Sequence, residues 1–67
     1  MSFEYIRKAY GVPAKRGQRV RYTGDRGPNA IPREGMITSA AGAKLRIRMD
    51  GESYSGIYHP TWEIEYL

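Results

Sequence analysis

The residues best suited to hold a ligand are cations. In Lys44-Leu45-Arg46-Ile47-Arg48-Met49 three basic side chains alternate with three apolar ones, and a period of two puts each set on its own side of a β-strand. A row of Lys and Arg can track a phosphate backbone, and the Arg fork can grip phosphate oxygens in a bidentate way. Arg19 and Arg21 alternate in the same manner with Val20 and Tyr22. In a meander the two basic strands flank a shared neighbour, roughly 9 to 10 Å apart because adjacent strands are about 4.8 Å apart. Arg19, Arg21, Lys44, Arg46 and Arg48 then share one curved wall, with Arg26 and Arg33 as further contacts from a loop. The competing reading is a solvated face, on which Glu63 and Glu65 pair with Arg19 and Arg21 across strands and withdraw both from any anion.

The aromatics come next: six Tyr, Phe3 and Trp62. Tyr22, Trp62 and Tyr66 fall on the inward phase of their strands, which assigns them to a core that needs large side chains. In Ser53-Tyr54-Ser55-Gly56-Ile57-Tyr58, an inward Ile57 turns Tyr58 outward. Tyr54, Tyr58 and His59, beside a long loop, form the alternative binding surface, one suited to an extended peptide.

Other chemistry finds little material. A single His without Cys supplies no conventional zinc or copper set, so neither a metal nor another cofactor is expected. In His59-Pro60-Thr61-Trp62 the proline starts a turn, and the His bonds to nearby backbone. Asp25, Glu34, Asp50 and Glu52 all lie in turns or loops, there is no Cys nucleophile, and no Gly-x-x-x-x-Gly-Lys phosphate loop occurs. The chain is read as non-enzymatic.

The elements that carry these residues are short. Residues 2–10 place Phe3, Ile6 and Tyr10 at helical spacing, with Ser2 as N-cap and Gly11 and Pro13 as stops. They form a two-turn helix or an extended arm. From Gln18 onward the period is two, giving strands at 18–23, 36–39, 44–49, 54–58 and 62–66, with the irregular stretch 24–35 after the first. An irregular stretch of this length in so small a domain is commonly functional or disordered. Residues 1–67 are read as one domain, with 1–12 as helix or arm and 13–67 as barrel.

The formal charge of +4 and pI near 9.7 suit a polyanionic partner. The first twenty residues hold no long apolar run, which predicts a cytoplasmic protein without membrane contact. A chain this short buries only roughly 60% of the surface exposed on unfolding, so self-association through Leu67 and the N-terminal segment stays open.

Five short strands with tight later turns fit a mainly β fold, a small five-stranded antiparallel barrel of the SH3-like kind. Gly17-Gln18-Arg19-Val20-Arg21-Tyr22-Thr23-Gly24, followed by Glu34-Gly35-Met36-Ile37, resembles the first hairpin of SH3-like barrels related to the KOW motif. Over nearly its whole length, from Tyr5-Ile6-Arg7 through Tyr10 to Gly17 and on to His59-Pro60-Thr61-Trp62 and Tyr66-Leu67, the chain is similar to short uncharacterised proteins of bacteria, tailed phages and prophages. That resemblance implies a fold and a phage or prophage setting, and no activity. One short SH3-like chain, a plasmid-encoded dihydrofolate reductase, is an enzyme, but its Val-Gln-Ile-Tyr stretch is missing here. The expectation is a binding module that meets nucleic-acid backbone through the basic face, or else a protein partner through the loop and exposed tyrosines.

Overall fold

The structure, a computed structural model, describes residues 3–25 and 30–67. The Ser2 cap and the Arg26 contact therefore lie outside the described residues. Of the two alternatives for the N-terminal segment, the helix forms: α1 spans Phe3–Tyr10. Two turns are too few for a helix to stand alone, and α1 is held by its apolar stripe, with Ile6 fully buried and Phe3 and Tyr10 packed on the core. Gly11 ends it in the left-handed region, φ 65°, with its N–H donating to the Arg7 carbonyl at 2.9 Å. The Arg7 guanidinium then donates to the Ala14 carbonyl at 2.7 Å, fixing the approach to the sheet.

Five antiparallel strands follow: β1 (Arg19–Tyr22), β2 (Arg33–Ala41), β3 (Lys44–Met49), β4 (Gly56–Tyr58) and β5 (Ile64–Tyr66). Their order in the single sheet is β4-β3-β2-β1-β5. The last strand returns to pair with the first, as a small barrel-like fold requires, and the mainly β class is the one expected. Both ends of β5 are latched to β1, by Leu67 N–H on the Arg19 carbonyl at 3.0 Å and Thr23 N–H on the Glu63 carbonyl at 2.8 Å. The sheet curls at a register shift between Ile37 and Ser39, where the Thr38 hydroxyl meets the Arg46 carbonyl at 3.2 Å and Ser55 at 2.8 Å. Across the barrel the rings of Tyr22 and Tyr58 meet edge to face, 5.1 Å between centroids.

The second strand is longer than its apolar pattern suggests. It begins at Arg33, because Tyr22 pairs with Arg33 and Arg21 with Glu34, so the irregular connection after β1 ends at Pro32. Gly35 is buried at the point where β2 crosses β3; a Cβ there would stand 2.6 Å from the Arg48 carbonyl oxygen and 2.9 Å from Met49 Cα.

The core consists of Ile6, Ala14, Val20, Ile37, Leu45, Ile47 and Met49. Along β3 exposed and buried residues alternate without a break, so the phase read from the sequence holds. It fails on β4. Ile57 pairs with Arg46 and Tyr58 with Leu45, and cross-strand partners share a face. Ile57 therefore stands outward, 58% exposed, while Tyr58 packs against the core, the reverse of the expected orientation. Trp62 is also misplaced by the pattern: β5 starts only at Ile64, and Trp62 is 69% exposed on the preceding bend. Tyr22 and Tyr66 do pack on the core.

The buried row of β3 gives a direct expectation for stability. Ile47→Ala is expected to lose about 2 to 4 kcal/mol, whereas Arg46→Ala, one residue away, changes stability by no more than about 0.5 kcal/mol; urea denaturation followed by circular dichroism measures both.

Candidate functional site

The outer face of the sheet divides into a neutralised half and a charged half. Arg19 makes a two-pronged contact with Asp50, 2.9 and 2.5 Å, and lies 3.8 Å from Glu34. The turn after β3 delivers Asp50, whose N–H is held by the Glu34 carbonyl at 2.9 Å, so the acid arrives beside β1 from 31 residues away. Arg21 stands 3.3 Å from Glu34 and 3.8 Å from Glu65. The expected Arg21–Glu65 pair thus forms, while Arg19 takes Asp50 and Glu34 in place of an acid from the last strand. Glu63 lies outside β5 altogether.

Lys44, Arg46 and Arg48 keep their cationic heads in solvent on the outer side of β3. None of the three forms an ion pair among the described residues. Arg48 acts on Asp50 only at longer range. Spaced two residues apart, their side chains leave the strand roughly 6.6 Å from one another, and the face they share continues from Arg48 through Met36 to Arg19 in the paired strands.

Arg33, expected in the loop, instead opens β2. It bonds Asp25 at 2.7 Å through Nε, lies 3.8 Å from Glu52, and sits 5.5 Å over the Tyr22 ring. Its guanidinium is shared between two partly exposed carboxylates and a ring at the start of β2.

Two clefts open on either side of Tyr58. The larger, about 330 Å³, is lined by Tyr22, Ile57, Tyr58, His59, Trp62 and Glu63. The smaller, about 160 Å³, is lined by Arg33, Met49, Glu52, Tyr54 and Tyr58 among others. The structure brings Tyr58 and His59 together in the first, and Tyr54, 70% exposed, joins Tyr58 in the second.

The turn that shapes the larger cleft is tightly specified. His59 Nδ1 accepts the Thr61 N–H at 3.1 Å, as the proline turn implies, and its ring stacks on Trp62 at 4.2 Å and meets Tyr10 edge-on at 5.1 Å. Pro60 is fully buried, and its carbonyl accepts the Tyr66 hydroxyl at 2.7 Å. Burial pushes the Tyr66 hydroxyl up to about 12. Glu63 adopts φ 59°, the one non-glycine residue with positive φ among those described. That backbone state costs about 1 to 2 kcal/mol for a side-chain-bearing residue, and the Thr23 N–H and hydroxyl, both on the Glu63 carbonyl, hold it there. Neither Trp62 nor Glu63 stands out as a site residue in the sequence; the positive φ and the late start of β5 carry no pattern.

Among the described residues no group of three or more His, Cys, Asp or Glu side chains is placed to hold a metal ion. None of their helices is long and apolar enough to cross a membrane. Compared with known proteins, the chain matches no protein-family model, no curated sequence and no solved structure.

Asp50 reports on the neutralised half. The hydrogen bond from Arg19 holds its carboxyl below the ordinary carboxylate range. A depressed folded value means that the contribution to stability is present above the unfolded titration, near pH 3.9, and is lost as pH falls through the folded one. Carboxyl-detected NMR titration is expected to find Asp50 ionised below the range of an unstructured Asp, and Arg19→Gln to return it to that range.

Proposed function

We propose that this chain is a small non-enzymatic binding module, in the phage or prophage setting its resemblance implies, that contacts nucleic-acid backbone through the outer face of β3. The observation that carries this reading is the row Lys44, Arg46 and Arg48, exposed and outside every ion pair among the described residues. Its geometry follows from the core: because Leu45, Ile47 and Met49 are buried, the cations are held in line on a paired strand, and little ordering of backbone remains to oppose binding. Arg19 and Arg21 stand behind the row as a second line. Their carboxylate partners are exposed surface acids, and such pairs are weak in water. Contacts of this kind position a protein on phosphates and carry no base information.

A second reading, a protein-interaction module, is favoured by the paired clefts around Tyr58 and the exposure of Tyr54, Ile57 and Trp62 beside them. Exposed apolar groups gathered at a concave site suit a partner better than they suit water.

Fluorescence anisotropy with labelled single-stranded and duplex DNA tests the first reading. Three phosphate contacts predict a slope of log affinity on log salt of about −2 for single strands and about −3 for duplex. Replacing Lys44, Arg46 and Arg48 together by Gln is expected to flatten the slope and weaken all sequences alike, whereas Arg19→Gln has the smaller effect. Affinity that ignores salt, or survives the triple replacement, contradicts the reading.

A further inference from the structure

The cationic row of β3 has two flanks, and they differ in chemistry. On the β2 side Lys44, Arg46 and Arg48 pair with Ala41, Ser39 and Met36. Beyond those stand Arg19 and Arg21 with their carboxylates. On the β4 side Arg46 pairs with Ile57. Cross-strand partners share a face, so the Ile57 side chain, 58% exposed, stands directly beside the middle cation. Ile57 also lines the larger cleft, together with Tyr22, Tyr58, His59 and Trp62. The row, outside every ion pair among the described residues, therefore runs beside an aromatic cleft with one apolar side chain between them.

Trp62 is the open wall of that cleft. Its ring lies against His59, 4.2 Å between centroids with the planes 12° apart, and the residue is still 69% exposed. An indole has two faces, so the stack on His59 covers one and leaves the other to solvent. His59 is itself pinned, with Nδ1 accepting the Thr61 N–H at 3.1 Å and its ring edge-on to Tyr10. A ring propped in this way gives up little side-chain freedom when a flat group stacks on it. Glu63 also lines the cleft, where its carboxylate and the Tyr22 hydroxyl converge beside Gly24. An anion is thus unwelcome inside, whereas a flat, uncharged ring is not.

A polymer that carries phosphates and flat uncharged rings answers both flanking chemistries at once. Proteins that bind single strands without sequence preference combine a cationic track for the backbone with aromatic side chains on which bases stack. In a duplex the bases are already paired and stacked, and extruding one has an energetic cost that an unpaired strand avoids. We propose that β3 and this cleft together bind single-stranded nucleic acid, with phosphates along Lys44, Arg46 and Arg48 and one base stacked on the open face of Trp62. The inference rests on the phosphate-binding reading and deepens it, by naming the strand form and by adding Trp62 and Ile57 to the contact surface.

An abasic strand keeps the phosphates and lacks the rings, so it separates the two contacts without altering the protein. Labelled oligothymidylate, an abasic strand of equal length and a duplex of equal length are compared by anisotropy at one salt concentration. The emission of Trp62, the only Trp in the chain, is followed with the unlabelled forms. Oligothymidylate is expected to quench that emission saturably and to bind about tenfold more tightly than the abasic strand, while the abasic strand and the duplex leave the emission unchanged. Trp62→Ala is expected to remove the advantage without changing the salt slope, and Trp62→Phe to restore part of it; dispersed amide spectra verify that both variants fold. Equal affinity for base-bearing and abasic strands, or a Trp62→Ala variant as tight as the parent, overturns the stacked base and leaves the phosphate row standing. Quenching by duplex equal to that by the single strand overturns the assignment of strand form. Salt-independent binding, or no binding of any form, overturns the phosphate row and the stacked base together.

Discussion

Burial of Leu45, Ile47 and Met49 beneath β3 decides which way every charged side chain on that strand must face. β3 lies between β2 and β4, and a slip of one residue would exchange its two faces completely. The penalty for such a slip is large on both sides at once: three apolar residues would enter water, and three cations would enter a core that contains no buried polar or charged residue among those described. The register is therefore fixed by the hydrophobic effect, and the outward row of cations is its consequence. Because β4 takes its phase from β3, the same constraint sends Ile57 outward beside Arg46 and Tyr58 inward beside Leu45. Tyr58 can then divide the two clefts.

Electrostatics refines this plan without setting it. The acids that neutralise Arg19 and Arg21 come from both strands beside β1 and from the turn beyond β3. They gather near β1, and the outer side of β3 keeps its charge. Lys44, Arg46 and Arg48 thus stand where strand pairing brings no carboxylate.

Much of this was legible in the chain, for reasons that differ by element. Six residues in unbroken alternation make β3 plain, and Gly11 with Pro13 mark the end of α1. β4 is illegible in the sequence because three residues carry almost no periodicity; only its register with β3 fixes the phase, and register is a long-range property. The alternation places Trp62 in the core only if the strand runs through it, and the left-handed residue Glu63 delays β5 to Ile64. The Arg19–Asp50 contact was invisible for the same reason that β4 was: nothing local announces which turn will arrive beside which strand. Arg33 looked like a free loop cation until β2 reached back to include it, next to Asp25 and over Tyr22.

The alternation along β3 can be measured residue by residue, because the chain has no Cys. Single cysteines placed in turn at positions 44 to 49 are labelled with a thiol reagent under native conditions. The account predicts rapid labelling at 44, 46 and 48, and labelling at 45, 47 and 49 only as fast as the protein opens. Uniform rates along the six positions, or rapid labelling at 45 and 47, would contradict it.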